Sequence, residues 1–385
     1  SLMYARVISS MMDTSGSTSA SMTRSVGSSG KDTILIAACI SPDTIESPNA
    51  FNVTDISGSG MEAWEEEAAA DLANEPPGMN IIAIDAEWEG THPVNSNSYV
   101  RTIQMSWGHK KAICFVLNDT EGKCCFKDKN GKDATARLAK ATTKFVNQYR
   151  IVGHFFVADL EHLVYHGFDF RKGFFIPTED AEDGTPFWVR CMQGEGGLDT
   201  GMMIHSIEET ALLGLESVAM RYTTCPRYDI ALEDSVVELC KQLKIKRKAL
   251  EGYGKIPDDI LVPYGNYDAD ATRRIAVTAM GYLDEDYEFN CVWEPFGGSM
   301  LTLPIILEIH QQGIFVDIKR VKKLTRDFST ARASLEQAIV DEFGWPEFNI
   351  RSVQHVKEVL FGVEYNGKVT KDGEPIRLRP KGAKC

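Results

Sequence analysis

Between residues 80 and 117 the chain alternates short apolar runs with polar breaks, and each run has the length of a strand. The run Ile81-Ile82-Ala83-Ile84 in IIAIDAEWEG is continuous, as expected of a strand buried on both faces. Two more strands follow at Tyr99–Trp107 and Lys111–Leu117, the last short and β-branched like an antiparallel hairpin partner. Helical spacing then predicts a helix at 134–149, a short strand at 151–153 and a helix at 158–166. Residues 170–197 carry Pro, Gly and acidic residues and read as loop; helices return at 199–209, 215–222, 232–243 and 257–283. Three strands first, then mixed elements, predict an α/β fold with a central mixed sheet flanked by helices.

The flanks differ in texture. Residues 1–60 are rich in Ser, Thr, Gly and Met and read as a mobile tail or the remnant of something upstream, broken by one strand-like run at 33–38. A helix at 61–74 is ended by Glu75-Pro76-Pro77-Gly78. Beyond Glu294-Pro295-Phe296-Gly297-Gly298 lie helical patterns at 299–312, 319–343 and 352–361, then a polar stretch that reads as truncated. The expected division is therefore 1–77, 78–292, and a smaller, mostly helical 293–385.

Charge changes this picture little. The net charge of -14 is partly local, since residues 1–80 hold 11 acidic and 3 basic side chains. It argues against a sequence-specific duplex reader with a broad basic face. Basic runs at 241–248, 319–323 and 377–384 suit solvated helix faces or phosphate contacts. Nine cysteines without CxxC pairs or zinc spacing suit reduced thiols of an intracellular protein. No apolar stretch is long enough to span a membrane, and the N-terminus lacks a cleavable signal pattern.

The chemistry sits in four carboxylates and a phenol. Residues i and i+2 of a strand share a face, so Asp85 and Glu87 present two carboxylates together. Such a pair, poorly hydrated, is unfavourable unless a cation neutralises it, and oxygen ligands suit Mg²⁺ or Mn²⁺. Asp159 falls in the first turn of a helix, where the dipole favours an anion; alone it reads as an ordinary helix-start Asp, and its company with the other carboxylates makes it a candidate. Tyr264 and Asp268, four apart, share one face of a helix, with Pro263 tolerated in its first turn. Asp270 faces elsewhere. Together these residues suggest a metal-dependent nuclease.

In order and spacing they resemble the DEDD 3′–5′ exonucleases of the tyrosine subgroup, and more closely the proofreading domain of family A DNA polymerases, the bacterial DNA polymerase I type. Residues 264–272 (YGNYDADAT) are similar to that family's third motif, Leu198-Asp199-Thr200 to its structural Asp-Thr, and 215–222 to its Leu-x-x-Leu-Ala-x-Arg-Tyr stretch. Residues 301–317 and 348–361 resemble the opening of the polymerase part and the thumb segment after it. The resemblance implies a ribonuclease H-like exonuclease fold over 78–292. It also implies two divalent cations (Mg²⁺ or Mn²⁺) about 4 Å apart held by Asp85, Glu87, Asp159 and Asp268. Tyr264 would orient the attacking hydroxide, and nucleoside 5′-monophosphates would leave from the 3′ end of single-stranded or frayed DNA.

Two positions depart from the family pattern: Phe155 stands where Asn is usual and Trp88 where Thr is usual. These aromatics either stack on terminal bases or simply pack; strand alternation turns Trp88 toward the core and leaves Phe155 as the substrate-binding candidate. His154 reads as structural. Palm carboxylates and a fingers helix are lacking, so no polymerase site is expected, and a polymerase domain would be a partner on the same or a separate chain. The expected protein is a monomer, intracellular, of cytoplasmic, nucleoid, viral or organellar setting, without membrane contact. A ribonuclease D-like RNA-processing exonuclease and a catalytically silent scaffold remain the alternatives.

Overall fold

The computed structural model describes residues 35–37, 50–52, 59–76, 78–128, 130–175, 184–285 and 292–382. Most of the serine-rich N-terminal stretch lies outside the described residues. The chain divides into two compact units, 1–312 and 313–385.

The first unit is a seven-stranded mixed sheet flanked by helices. Its strands are β1 (Leu35–Ala37), β2 (Ala50–Asn52), β3 (Ile81–Glu89), β4 (Tyr99–Gly108), β5 (Lys111–Val116), β6 (Arg150–Gly153) and β7 (Leu198–Asp199), in the order β2-β1-β5-β4-β3-β6-β7. β3, β4 and β5 form an antiparallel meander, while β6 and β7 add in parallel on the far side of β3. The run Ile81–Ile84 is buried because β3 is central, with strands on both edges and helices over both faces. That is the expected α/β architecture, a central mixed sheet of three antiparallel strands followed by parallel ones, flanked by helices.

Part of the expected N-terminal tail belongs to the sheet. β1 pairs antiparallel with β5, Ile36 opposite Phe115, and β2 pairs with β1. Without them β5 would be an open edge with unpaired backbone groups. Helix α1 (Ser59–Ala73) also joins the core: Trp64 packs edge-on against Trp107, Phe115 and Phe145 at centroid distances of 6.2, 5.8 and 5.0 Å.

The remaining helices of this unit are α2 (Thr135–Val146), α3 (Val157–Tyr165), the short α4 (Arg171–Phe174) and α5 (Phe187–Met192), α6 (Thr200–Ile207), α7 (Leu215–Tyr222), α8 (Ile230–Leu243), α9 (Asp258–Glu285) and α10 (Trp293–Gln312). Helix α10 buries Trp293, Phe296, Met300, Leu303 and Leu307 in the core of the first unit. The compact unit therefore ends about twenty residues beyond the expected limit at 292. The break signalled by Gly297-Gly298 falls inside a helix, because the buried face overrides the propensity of two glycines.

The second unit contains α11 (Ile318–Phe343) and α12 (Val353–Phe361). Trp345 is its buried anchor, stacked on His355 at 4.6 Å. Glu358, fully buried, accepts hydrogen bonds from the backbone N–H groups of Leu378 and Arg379 and from Asn366.

Candidate active site

The site begins on β3. Asp85 pairs opposite Gln104 and Glu87 opposite Thr102, so the two carboxylates leave the sheet on one face. Directly after Glu87 the pairing with β4 shifts: Trp88 faces Val100, and Arg101 is skipped. The extra residue thus belongs to β4, and β3 keeps its alternation. The skipped Arg101 is buried and its guanidinium bonds Gly254 O at 3.2 Å, Asn118 O and Asp258. Trp88 is half-buried and stacks on His162 of α3 at 4.4 Å, which places it with the packing.

Asp159 comes from the connection between β6 and α3. A Cβ on Gly153 would lie 2.3 Å from the Phe156 side chain, so glycine is required where the strand ends. Phe155 follows with φ +52°, a left-handed conformation costly for an aromatic residue. Asp199 holds this turn in place. Its carboxylate accepts from the N–H groups of Phe155 (3.1 Å), Phe156 (2.9 Å) and, as the cap of α6, Met202 (3.2 Å). The Phe155 ring is 40% exposed, lies over Gly201 and meets His154 edge-on at 4.9 Å. His154 is bonded at both ring nitrogens, to Thr200 Oγ1 (2.8 Å) and Leu213 O (2.7 Å), and is structural. From this anchored turn Asp159 reaches β3, where its Oδ1 accepts from the N–H of Ala86 at 3.1 Å.

Helix α9 brings the rest. It starts at Asp258, so Pro263 lies inside it rather than in its first turn and removes one rung of the backbone ladder immediately before Tyr264. A Cβ on Gly265 would sit 2.3 Å from Gln104 of β4, so the helix approaches the sheet closely here. That approach presses Tyr264 and Asp268 toward β3; both are more than nine-tenths buried. Asp270 turns away, accepting from Lys110 N–H at 3.0 Å and pairing with Arg274.

One oxygen each from Asp85, Glu87 and Asp268 lies within 4.8 Å of the others. Asp159 stands beside this group, close enough for its charge to act on Asp85. Burial pushes the carboxyls of Asp85, Glu87 and Asp268 well above their ordinary range, with neighbouring carboxylates adding to the effect. Asp159 is pushed up to about 8, again first by burial, against the lowering effect of the Ala86 hydrogen bond. Asp85 Oδ2 is shielded from solvent and has no hydrogen-bond partner among the described residues. Converging carboxylates with an orphaned buried oxygen are unfavourable by themselves and fit a divalent cation held by oxygen ligands. Among the described residues no other cluster of three such ligands occurs.

Two further residues complete the site. Tyr264 donates its hydroxyl to Glu216 Oε1 at 3.2 Å, and Tyr228 donates to Asp268 Oδ1 at 2.5 Å. Burial and the surrounding carboxylates raise both phenols above their ordinary range. Glu216 opens α7 and Tyr228 lies in the connection before α8. Neither forms a pattern along the chain, because their partners are 48 and 40 residues away.

The chain matches no protein-family model. It is similar to a DNA polymerase of Escherichia phage T5, 28% identical over 192 residues; the match covers 46% of this chain and 22% of the relative's length. Among solved structures it is similar to the catalytic core of RRP6 from Trypanosoma brucei, at 16% identity and a TM-score of 0.34, covering 64% of this chain and 51% of that one. It is also similar to a nuclease in its apo form, at 16% identity and a TM-score of 0.35, covering 65% of this chain and 94% of that one. None of the three distinguishes the polymerase type of exonuclease from the ribonuclease D type.

Proposed function

We propose that the first unit is a metal-dependent 3′–5′ exonuclease acting on the 3′ end of single-stranded or frayed DNA. The observation that carries this reading is the convergence of Asp85, Glu87 and Asp268 around the unpartnered Asp85 Oδ2, with the Tyr264 phenol against the same group. Four carboxylates and a tyrosine suit phosphodiester hydrolysis better than acyl transfer, which needs a nucleophile and base pair. His154 is fully engaged in structural bonds.

Asp85, Glu87 and Asp268 would hold one divalent ion, and Asp85 with Asp159 a second. When bound, such ions supply hydroxide near neutral pH and offset charge on the leaving oxygen. The chain's own residues do the positioning. Ala86 N–H fixes the Asp159 carboxylate against β3, and Tyr228 fixes that of Asp268. Tyr264, kept protonated by its surroundings, orients the attacking oxygen without serving as a base. Phe155, exposed on the turn leading to Asp159, offers a ring face to a terminal base.

We take proofreading as the role and DNA as the substrate, with a phage DNA polymerase among the proteins similar to this chain. On the same reading residues 313–385 open the polymerase part, with the polymerase domain as partner. The test is to offer matched DNA and RNA single strands with Mg²⁺ or Mn²⁺. Release of 5′-mononucleotides from the DNA 3′ end is expected; preferential RNA degradation would assign the chain to the ribonuclease D type.

A further inference from the structure

We propose that Glu216 is a positioning residue for Tyr264: by accepting its hydroxyl hydrogen it turns the phenol oxygen's lone pairs toward the attacking water. The inference rests on the exonuclease reading and deepens it. A phenol has one hydrogen to give, and Glu216 Oε1 lies 3.2 Å from the Tyr264 hydroxyl. Asp268, which also lies within hydrogen-bond reach of Tyr264, receives a hydroxyl from Tyr228 at 2.5 Å. Tyr264 is thus within hydrogen-bond reach of both Asp268 and Glu216, and with Tyr228 already on Asp268 we assign its hydrogen to Glu216. The aromatic packing holds the two phenols. Tyr228 stacks on Tyr267 with centroids 5.2 Å apart and an interplanar angle of 17°, while Tyr264 lies 5.9 Å from Tyr228 and 6.2 Å, edge-on, from Tyr253.

The consequence is chemical. With its hydrogen committed, Tyr264 can meet a water only as an acceptor, taking one of that water's O–H groups. A water held in this way keeps its lone pairs free, one for a cation and one for phosphorus. Were Tyr264 the donor, it would take up one of the lone pairs that the nucleophile offers to a cation and to phosphorus, and lower its electron density. Glu216 is half-buried at the start of α7 and is not among the three carboxylates that converge. Its part is thus to set the sense of the Tyr264 hydrogen bond without holding the ion.

A double-mutant cycle on the full chain separates these roles, using Glu216→Ala, Glu216→Gln, Tyr264→Phe and Glu216→Ala/Tyr264→Phe. Single-turnover release of mononucleotide from a single-stranded DNA and Mn²⁺ affinity by titration are both measured. Glu216→Ala should slow the chemical step by about 10- to 100-fold, the usual range for a residue that orients a catalytic group. Glu216→Gln, which still offers an oxygen to the phenol, should retain most of the rate. In the Tyr264→Phe background, Glu216→Ala should cost nothing further, and none of the Glu216 variants should weaken Mn²⁺ binding. Additive losses in the double variant, a Gln variant as slow as Ala, or a tenfold loss of Mn²⁺ affinity would each overturn the inference. A wild-type protein that binds Mn²⁺ but releases no nucleotide would instead overturn the exonuclease reading, and this inference with it.

Discussion

The backbone N–H of Ala86 donates to Asp159 Oδ1 across 73 residues of sequence, at 3.1 Å. Ala86 lies between the two strand carboxylates, so a single amide ties the third carboxylate to the strand that bears the first two. Asp159→Asn can keep this bond through its carbonyl oxygen while removing the charge. We expect the variant to fold normally and melt no lower than wild type without metal, yet to lose at least tenfold in nucleotide release. Melting curves and initial rates check this; an unimpaired rate would remove Asp159 from the machinery.

The titration of the same group sets a pH dependence. Asp159 stands at about 8 in the folded protein, against an ordinary value of 3.8. A raised carboxyl contributes stability that is fully present below its unfolded value and lost as pH rises through its folded value. Metal-free protein should therefore lose stability between about pH 4 and 8, by up to about 1.4 kcal/mol per pH unit for each such group. Melting temperature measured across that range without and then with Mg²⁺ checks the sign. The gain on adding metal should be larger at pH 8 than at pH 6.

Asp85→Ala and Asp268→Ala each remove one of three converging charges. Without metal their melting temperatures should hold or rise, because mutual repulsion is relieved. Binding an ion at 100 times its dissociation constant stabilises wild type by about 2.7 kcal/mol, and in both variants this gain should vanish. Differential scanning fluorimetry with and without Mn²⁺ gives the answer. A full metal-induced shift in either variant would contradict the ligand assignment.

The two aromatic departures should separate. Trp88→Ala removes a ring stacked on His162 and should cost about 3–5 kcal/mol of stability, with single-strand affinity normal in what remains folded. Phe155→Ala should weaken single-strand binding by about 1–3 kcal/mol, similarly for all four bases. Phe155→Asn, better suited to φ +52°, should raise the melting temperature while losing the same affinity. Chemical denaturation and fluorescence anisotropy with labelled oligonucleotides make the comparison.

What could be read along the chain was whatever repeats at a regular interval. The period of two in β3 put Asp85 and Glu87 on one face, and the spacing of four paired Tyr264 with Asp268 on α9. The three strands of the meander and the short strand after the first long helix were legible from runs of apolar residues; the parallel pairing of that strand with β3 was not. Bonds between elements were not. Glu216 and Tyr228 bear no local mark, and the skipped Arg101 on β4 emerges only from pairing. Pro263 and the Gly297-Gly298 pair were read by propensity as helix start and boundary; burial of α9 and α10 overrode both. Likewise β1 and β2 sit in a stretch of low-complexity composition, where pairing with the β5 edge decides the outcome.

The most direct test of the account is hydrolysis of a single-stranded DNA labelled at its 5′ end, with Mg²⁺, compared between wild type and Asp85→Asn/Asp268→Asn. A ladder shortening one nucleotide at a time from the 3′ end, abolished by chelation and by the double variant, is the predicted result. Internal cuts, activity that survives chelation, or a double variant as active as wild type would contradict it.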